Sequence, residues 1–364
     1  MENGNVAERL KKVFENAGKI DKIVIVNTGA QDPNFIYITG FTSGLFEYSY
    51  LVLEATSAVL FTSVLEYETA REQAREGLEI IKIESSEDLR KNMEEKIRGF
   101  RIGINGNFLP HNIYEAIMKS YNPASIDDVS DAFAKARIVK DKDEIENIKK
   151  AVSITKWSQM LIQKEFKEGI TEMELASKFD SLSLSMGAQG TSFRTIVCFG
   201  RNAALPHHYP DSTKLREGDL ILIDAGCLFN NYASDITRTF IFNKEKINPE
   251  DLAKMEEIIK VVKDAQVMAI RAIKPGMRGK EIDKIARNYI EGFGGGKYKG
   301  MFIHSLGHSV GIEVHDGAGF SPGEETVLKE GMVITVEPGI YINGFAGARI
   351  EDDILITKDG ASVI

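Results

Sequence analysis

Four carboxylates stand inside or at the ends of apolar, strand-like runs, and they restrict what this chain can fold into more than any other feature. Asp224 follows LILI, Asp235 precedes ITRTF, Glu337 follows MVITV and Glu351 follows ARI, while His308 lies in HSLGHSVG. A carboxylate in an apolar strand costs several kcal/mol when unpaired, and carboxylates that converge repel one another. The fold must therefore bring cations to them. Arg238 and Arg349 are the obvious basic residues on the neighbouring strands, and two arginines cannot neutralise four carboxylates. Two divalent ions can. Oxygen-rich ligation with one imidazole suits Mn²⁺, Co²⁺, Zn²⁺ or Fe²⁺. Carboxylates can bridge two such ions ~3.5–4 Å apart around a shared water, whose pKa falls from about 15.7 towards ~7, so that a hydroxide nucleophile forms at neutral pH.

Composition restricts the setting. At 364 residues the chain is long enough for about two domains and a core that needs no disulfide support. With 43% hydrophobic and 27% charged residues, and no apolar run near the ~20 residues of a membrane span, neither a membrane protein nor a disordered chain is expected. The formal charge of −9, without a long basic run, argues against nucleic acid as a partner. Cys198 and Cys227 both sit in apolar runs and read as buried free thiols. The Met1–Lys12 stretch is polar and has no apolar core before a small-residue cleavage site, so a cytoplasmic location is expected.

The pattern changes near Ala134. Before it, β-rich runs at 21–27, 35–40, 50–55, 58–62 and 101–105 alternate with amphipathic stretches around 65–76 and 86–97, as in a small α/β domain over 1–134. After it, over 135–364, long helices at 142–166, 171–186, 249–272 and 278–291 interleave with strands at 195–199, 219–224, 237–242, 332–336 and 353–357. GITEMEL at 169–175 and GMRGKEI at 276–282 form a faint echo, each joining one helix to the next, as if two helix pairs flanked one sheet. GFGGGK at 292–297 lacks phosphate-loop spacing and reads as a flexible turn.

These residues are similar to those of the pita-bread metallopeptidases, the group of Xaa-Pro dipeptidases (prolidases), Xaa-Pro aminopeptidases and methionine aminopeptidases. The motifs IDAG, YASDITRTF, HSLGHSVG, TVEPG and RIEDD carry the resemblance. It implies a mixed α/β chain: a C-terminal pita-bread (creatinase/aminopeptidase) fold with pseudo-twofold symmetry, behind a smaller creatinase-type N-terminal α/β domain. It also implies that Asp224, Asp235, His308, Glu337 and Glu351 are metal ligands. Asp235 and Glu351 would bridge the ions, Asp224 would complete one, and His308 with Glu337 the other. His207 in LPHH and His315 in EVHDG correspond to histidines flanking the scissile carbonyl. With Glu337 and Arg349 they make up the implied catalytic set. His208 reads as exposed beside His207, His304 as shaping a turn, and His111 as a surface residue.

The N-terminal domain and the SFRTIVCFGRNAALPHH block favour the Xaa-Pro branch over methionine aminopeptidase, and the complete ligand set argues against creatinase. The resemblance therefore implies a dinuclear exopeptidase that cleaves Xaa-Pro bonds at the N-terminus of small peptides, and a homodimer. The alternative is a non-catalytic binding module on the same scaffold, for which loss of ligands would be the signature. The pattern departs at one place. DGAGFSPGEE follows His315 where many microbial prolidases have HEXPR, so Gly319 stands in place of an arginine that would clamp a dipeptide's free carboxylate. Cleavage of both dipeptides and longer peptides is thus expected, with Gly319→Arg shifting the preference towards dipeptides.

Overall fold

The structure is a computed structural model that describes residues 6–364; residues 1–5, the start of the polar Met1–Lys12 stretch, lie outside the described residues. The chain divides between Arg137 and Ile138 into two compact units, at the end of a helix that begins before Ala134.

The first unit is built on one six-stranded sheet. Its strands are β1 (Lys22–Val26), β2 (Tyr50–Leu53), β3 (Ala58–Ser63), β4 (Leu78–Ile83), β5 (Arg101–Ile104) and β6 (Ser125–Asp128), in the order β4-β3-β2-β1-β5-β6. The β1–β2 and β2–β3 pairs are antiparallel, and β3–β4, β1–β5 and β5–β6 are parallel. Strands β1 to β3 are buried along nearly their whole length, as unbroken apolar runs covered on both faces should be. Six helices accompany the sheet: α1 (Val6–Phe14), α2 (Pro33–Thr39), α3 (Tyr67–Gln73), α4 (Ser86–Ile97), α5 (His111–Tyr121) and α6 (Ser130–Arg137).

The strand expected at 35–40 is helix α2, and local chemistry explains the difference. Asp32 caps the helix by accepting the Asn34 N–H, Pro33 occupies the first turn, and Gly40 ends it in the left-handed region at φ 65°. Start and stop signals together override the β-propensity of Phe35, Ile36, Tyr37 and Ile38.

The second unit repeats one arrangement twice. Helices α7 (Lys142–Leu161) and α8 (Glu172–Ser185) precede a two-residue strand β7 (Gly190–Thr191) and strands β8 (Ile196–Phe199) and β9 (Leu220–Ala225). Short strands β10 (Cys227–Phe229) and β11 (Tyr232–Ala233) lead to β12 (Ile236–Ile241), which returns antiparallel to β9. Helices α9 (Pro249–Ala272) and α10 (Gly279–Gly292) then precede β13 (Val333–Val336), the hairpin β14 (Gly339–Ile342) and β15 (Ala346–Arg349), and strands β16 (Asp352–Thr357) and β17 (Gly360–Val363). Here β16 returns antiparallel to β13, as β12 does to β9. GFGGGK at 292–297 forms a short 3₁₀ turn with Gly294, Gly295 and Gly296 at positive φ.

The echo seen in the sequence persists at the level of hydrogen bonds. Gly169 and Gly276 both take positive φ before a helix. Gly169 N–H donates to Leu215 O and Gly276 N–H to Leu328 O, both at 2.9 Å. Glu174 accepts the Thr171 N–H and Glu281 the Arg278 N–H, each tying down the start of its helix. Each half buries its own apolar cluster: Leu175, Phe179, Val197, Ile221 and Ile223 in the first, and Val261, Ile282, Ile334 and Ile354 in the second.

Candidate metal centre and active site

The two halves put the four carboxylates at matching places. Asp224 lies near the end of outgoing strand β9, opposite Thr237 of β12, and Asp235 immediately precedes that returning strand. Glu337 immediately follows β13, and Glu351 immediately precedes β16. Hydrogen bonds link the halves here, among them Glu351 N–H to Thr237 O at 3.1 Å and Asp235 N–H to Asp353 Oδ2 at 3.0 Å. His308 enters on the segment after α10, where its N–H donates to Thr335 Oγ1 at 3.0 Å. Its Nε2 lies 3.5 Å from both Asp235 Oδ2 and Glu337 Oε1. Ligand atoms of Asp235, His308 and Glu351 fall within 4.8 Å of one another.

Asp224, Asp235 and Glu351 are buried, and Asp224 Oδ1, Asp235 Oδ1 and Glu351 Oε1 have no hydrogen-bond partner among the described residues. Burial raises the Asp235 and Glu351 carboxyls well above the usual range, and repulsion from Glu351 and Glu337 respectively adds to it. Glu337 is pushed up to about 8, again chiefly by burial. The His308 imidazole is lowered to about 4 by burial and by His315 beside it. Carboxylate oxygens left unsatisfied around a neutral imidazole are a donor set that fits divalent cations.

Arg349 is the buried cation of the site. It donates through Nη2 to Asp224 Oδ2, through Nε to Thr237 Oγ1 at 3.1 Å and through Nη1 to the Tyr341 hydroxyl at 2.7 Å. Arg238 pairs with Asp352 instead.

All of the candidate residues line one cavity of about 600 Å³: His207, Asp224, Asp235, His308, His315, Glu337, Arg349 and Glu351. His315 lies against His308, with ring centroids 4.1 Å apart. His304 also lines this cavity, and its Nε2 meets the Tyr341 hydroxyl at 2.8 Å, so it does more than shape a turn. His208 is not exposed: its side chain is 13% accessible and its Nε2 lies 2.8 Å from the fully buried Glu172 carboxylate. His111 is on the surface, and Cys198 and Cys227 are buried free thiols. Tyr341, Glu172 and Asp353 were not among the sequence candidates. The first two resemble an ordinary strand aromatic and an ordinary acid in the first turn of a helix.

Gly319 corrects an expectation. A Cβ built there would lie 2.2 Å from Gly307 O and 2.5 Å from the His308 Cα, so the backbone leaves no room for any side chain. An arginine clamp cannot be restored at this position without moving the His308 segment.

The chain is similar to known proteins along nearly its whole length. The Xaa-Pro dipeptidase of Pyrococcus furiosus is 40% identical over 97% of this chain and 96% of its own length. The prolidase structure from Pyrococcus horikoshii superposes with a TM-score of 0.86 at 38% identity, covering 98% of this chain and 97% of that one. An X-Pro aminopeptidase structure from Thermotoga maritima gives a TM-score of 0.87 at 30% identity, over 98% of this chain and 96% of that one. The model of the creatinase/prolidase N-terminal domain matches residues 7–139, and that of metallopeptidase family M24 matches residues 146–358, which include every half-site described above. With paired carboxylates, histidine and pseudo-symmetric scaffold all lying inside that match, the chain belongs to metallopeptidase family M24.

Proposed function

We propose that this chain is a dinuclear metal-dependent exopeptidase that hydrolyses the Xaa-Pro bond at the N-terminus of dipeptides and short peptides. One observation carries the reading: buried carboxylate oxygens without partners converge with His308 on the cavity that His207 and His315 also line. Asp224, Asp235, His308, Glu337 and Glu351 would hold two divalent ions, Mn²⁺ or Co²⁺ by preference and Zn²⁺ or Fe²⁺ compatibly with the same donors. Ions held there supply Lewis-acid polarisation and a hydroxide nucleophile at neutral pH.

The chain's own groups do the rest. His207 and His315 face the cavity and donate hydrogen bonds to the carbonyl oxygen as negative charge develops on it. Glu337 takes the proton of the attacking water and returns it to the departing proline nitrogen, so that water is added across the C–N bond. Arg349 holds Asp224 in place and balances part of the buried negative charge. No helix among the described residues is long and apolar enough to cross a membrane. We read the enzyme as a cytoplasmic homodimer acting on small peptides; its two unpaired thiols suit a reducing compartment.

The test is hydrolysis of a Xaa-Pro dipeptide and a Xaa-Pro-Xaa tripeptide by protein loaded with Mn²⁺ or Co²⁺. Cleavage of at least one, abolished by chelation, is expected. If loaded protein cleaves neither, the peptidase reading fails and a binding module on this scaffold replaces it.

A further inference from the structure

The active-site cavity has a second arginine that the chemistry above leaves unused. Arg194 lines it just before β8, exposed, with its guanidinium carbon 4.2 Å from the centre of the Tyr209 ring. It makes no ion pair or hydrogen bond with any described residue, in a chain that carries 54 acidic side chains. Arg349, the other arginine of the lining, is buried and committed to Asp224, Thr237 and Tyr341. Stacking on an aromatic face restricts the guanidinium's rotation but leaves its edge N–H groups free, in the fork that matches a carboxylate. An anionic substrate group entering a cavity lined by four carboxylates needs such a cation, and Arg194 is the uncommitted one.

We infer that Arg194 recognises a carboxylate of the substrate remote from the scissile bond. That carboxylate is either the free C-terminal carboxylate of a Xaa-Pro dipeptide or the acidic side chain of its N-terminal residue. The inference rests on the peptidase reading for the identity of the substrate, and on the cavity for its geometry.

The experiment compares wild type with Arg194→Gln and Arg194→Lys, each loaded with Mn²⁺. The kcat/KM ratios of Ala-Pro to Ala-Pro-amide, and of Glu-Pro-amide to Gln-Pro-amide, are measured for each protein. One ratio is expected to fall about tenfold or more in Arg194→Gln, the effect of one lost charge-assisted hydrogen bond, and to recover in part in Arg194→Lys. A fall in the first ratio assigns the C-terminal carboxylate, and a fall in the second assigns the acidic side chain. Calorimetric binding of proline against prolinamide, and of glutamate against glutamine, reads the same contact without turnover. If wild type hydrolyses none of the peptides but binds the carboxylate ligand in an Arg194-dependent way, the peptidase reading falls and this inference stands. Unchanged ratios in Arg194→Gln overturn it, as does unchanged calorimetric preference when there is no turnover.

Discussion

The buried carboxylate of Glu172 holds the Nε2 of His208 at 2.8 Å, and through that contact it holds the loop that presents His207 to the cavity. The same carboxylate accepts the N–H of Phe199 at 2.7 Å, the side-chain amide of Asn202 at 3.0 Å and the N–H of Asp211 at 3.2 Å. Four N–H donors from residues 199 to 211 thus end on one acid at the first position of α8, where the helix dipole also favours negative charge. Its oxygens are saturated, so Glu172, His208 and Asp211 form a clamp and not a second ion site.

Glu172→Gln keeps the shape but offers one acceptor oxygen where the carboxylate offered two. It is expected to lower stability by about 2 kcal/mol, the value of hydrogen bonds to a buried charged group. It should also reduce kcat through misplacement of His207, with bound metal unchanged. Urea unfolding, metal analysis and steady-state kinetics together check this. Wild-type stability and turnover in the variant would remove the clamp from the account.

Metal dependence follows from the buried carboxylates. Chelation should abolish hydrolysis and lower Tm, because ions that bind only the folded chain stabilise it by mass action. Adding Mn²⁺ or Co²⁺ should restore both. Asp235→Asn removes the charge of a residue whose Oδ1 has no hydrogen-bond partner among the described residues, and it should lose bound metal or at least 100-fold in turnover. Full activity in exhaustively stripped protein would contradict the dinuclear reading.

Much of the site was legible in the sequence because it breaks a strong rule. A carboxylate in an apolar strand is rare enough to announce a compensating cation, so Asp224, Asp235, Glu337 and Glu351 stand out in the sequence itself. The supports did not, because each obeys a rule. Glu172 looks like any acid in a helix's first turn, and Tyr341 like any aromatic in a strand. That one carries four hydrogen bonds and the other joins Arg349 to His304 depends on pairings remote in sequence. The same division holds for the fold: the sequence places helix α9 at its observed ends, whereas the hairpin β14–β15 escapes it because AGAR at 346–349 has no β-branched or aromatic residue to signal a strand.

The two cavity histidines should separate from the ligands by their phenotype. His207 and His315 act on the carbonyl oxygen in the proposed mechanism, so His207→Ala or His315→Ala should cut kcat by roughly 10²–10³ while leaving metal content near wild type. Because His315 lies against His308, its variant is the more stringent case. A His315 variant that loses its ions would make this residue a support of the metal centre and not a participant in the chemistry.

Gly319 offers the sharpest test of how closely the backbone is packed around His308. Phe320 N–H donates to Gly307 O at 2.7 Å and Gly307 N–H donates to Phe320 O at 3.2 Å, so the two segments pair directly across Gly319. With a Cβ meeting Gly307 O at 2.2 Å, even Gly319→Ala must push the His308 segment away. Forced overpacking of this kind costs typically ~1–3 kcal/mol. Both Gly319→Ala and Gly319→Arg are therefore expected to lower Tm and weaken metal retention together, with the arginine giving no gain in dipeptide preference. Metal analysis after dialysis and the ratio of dipeptide to tripeptide cleavage read the two effects separately. A Gly319→Arg protein that keeps its ions and turns selective for dipeptides would mean that the backbone yields here, and that this position faces the substrate after all.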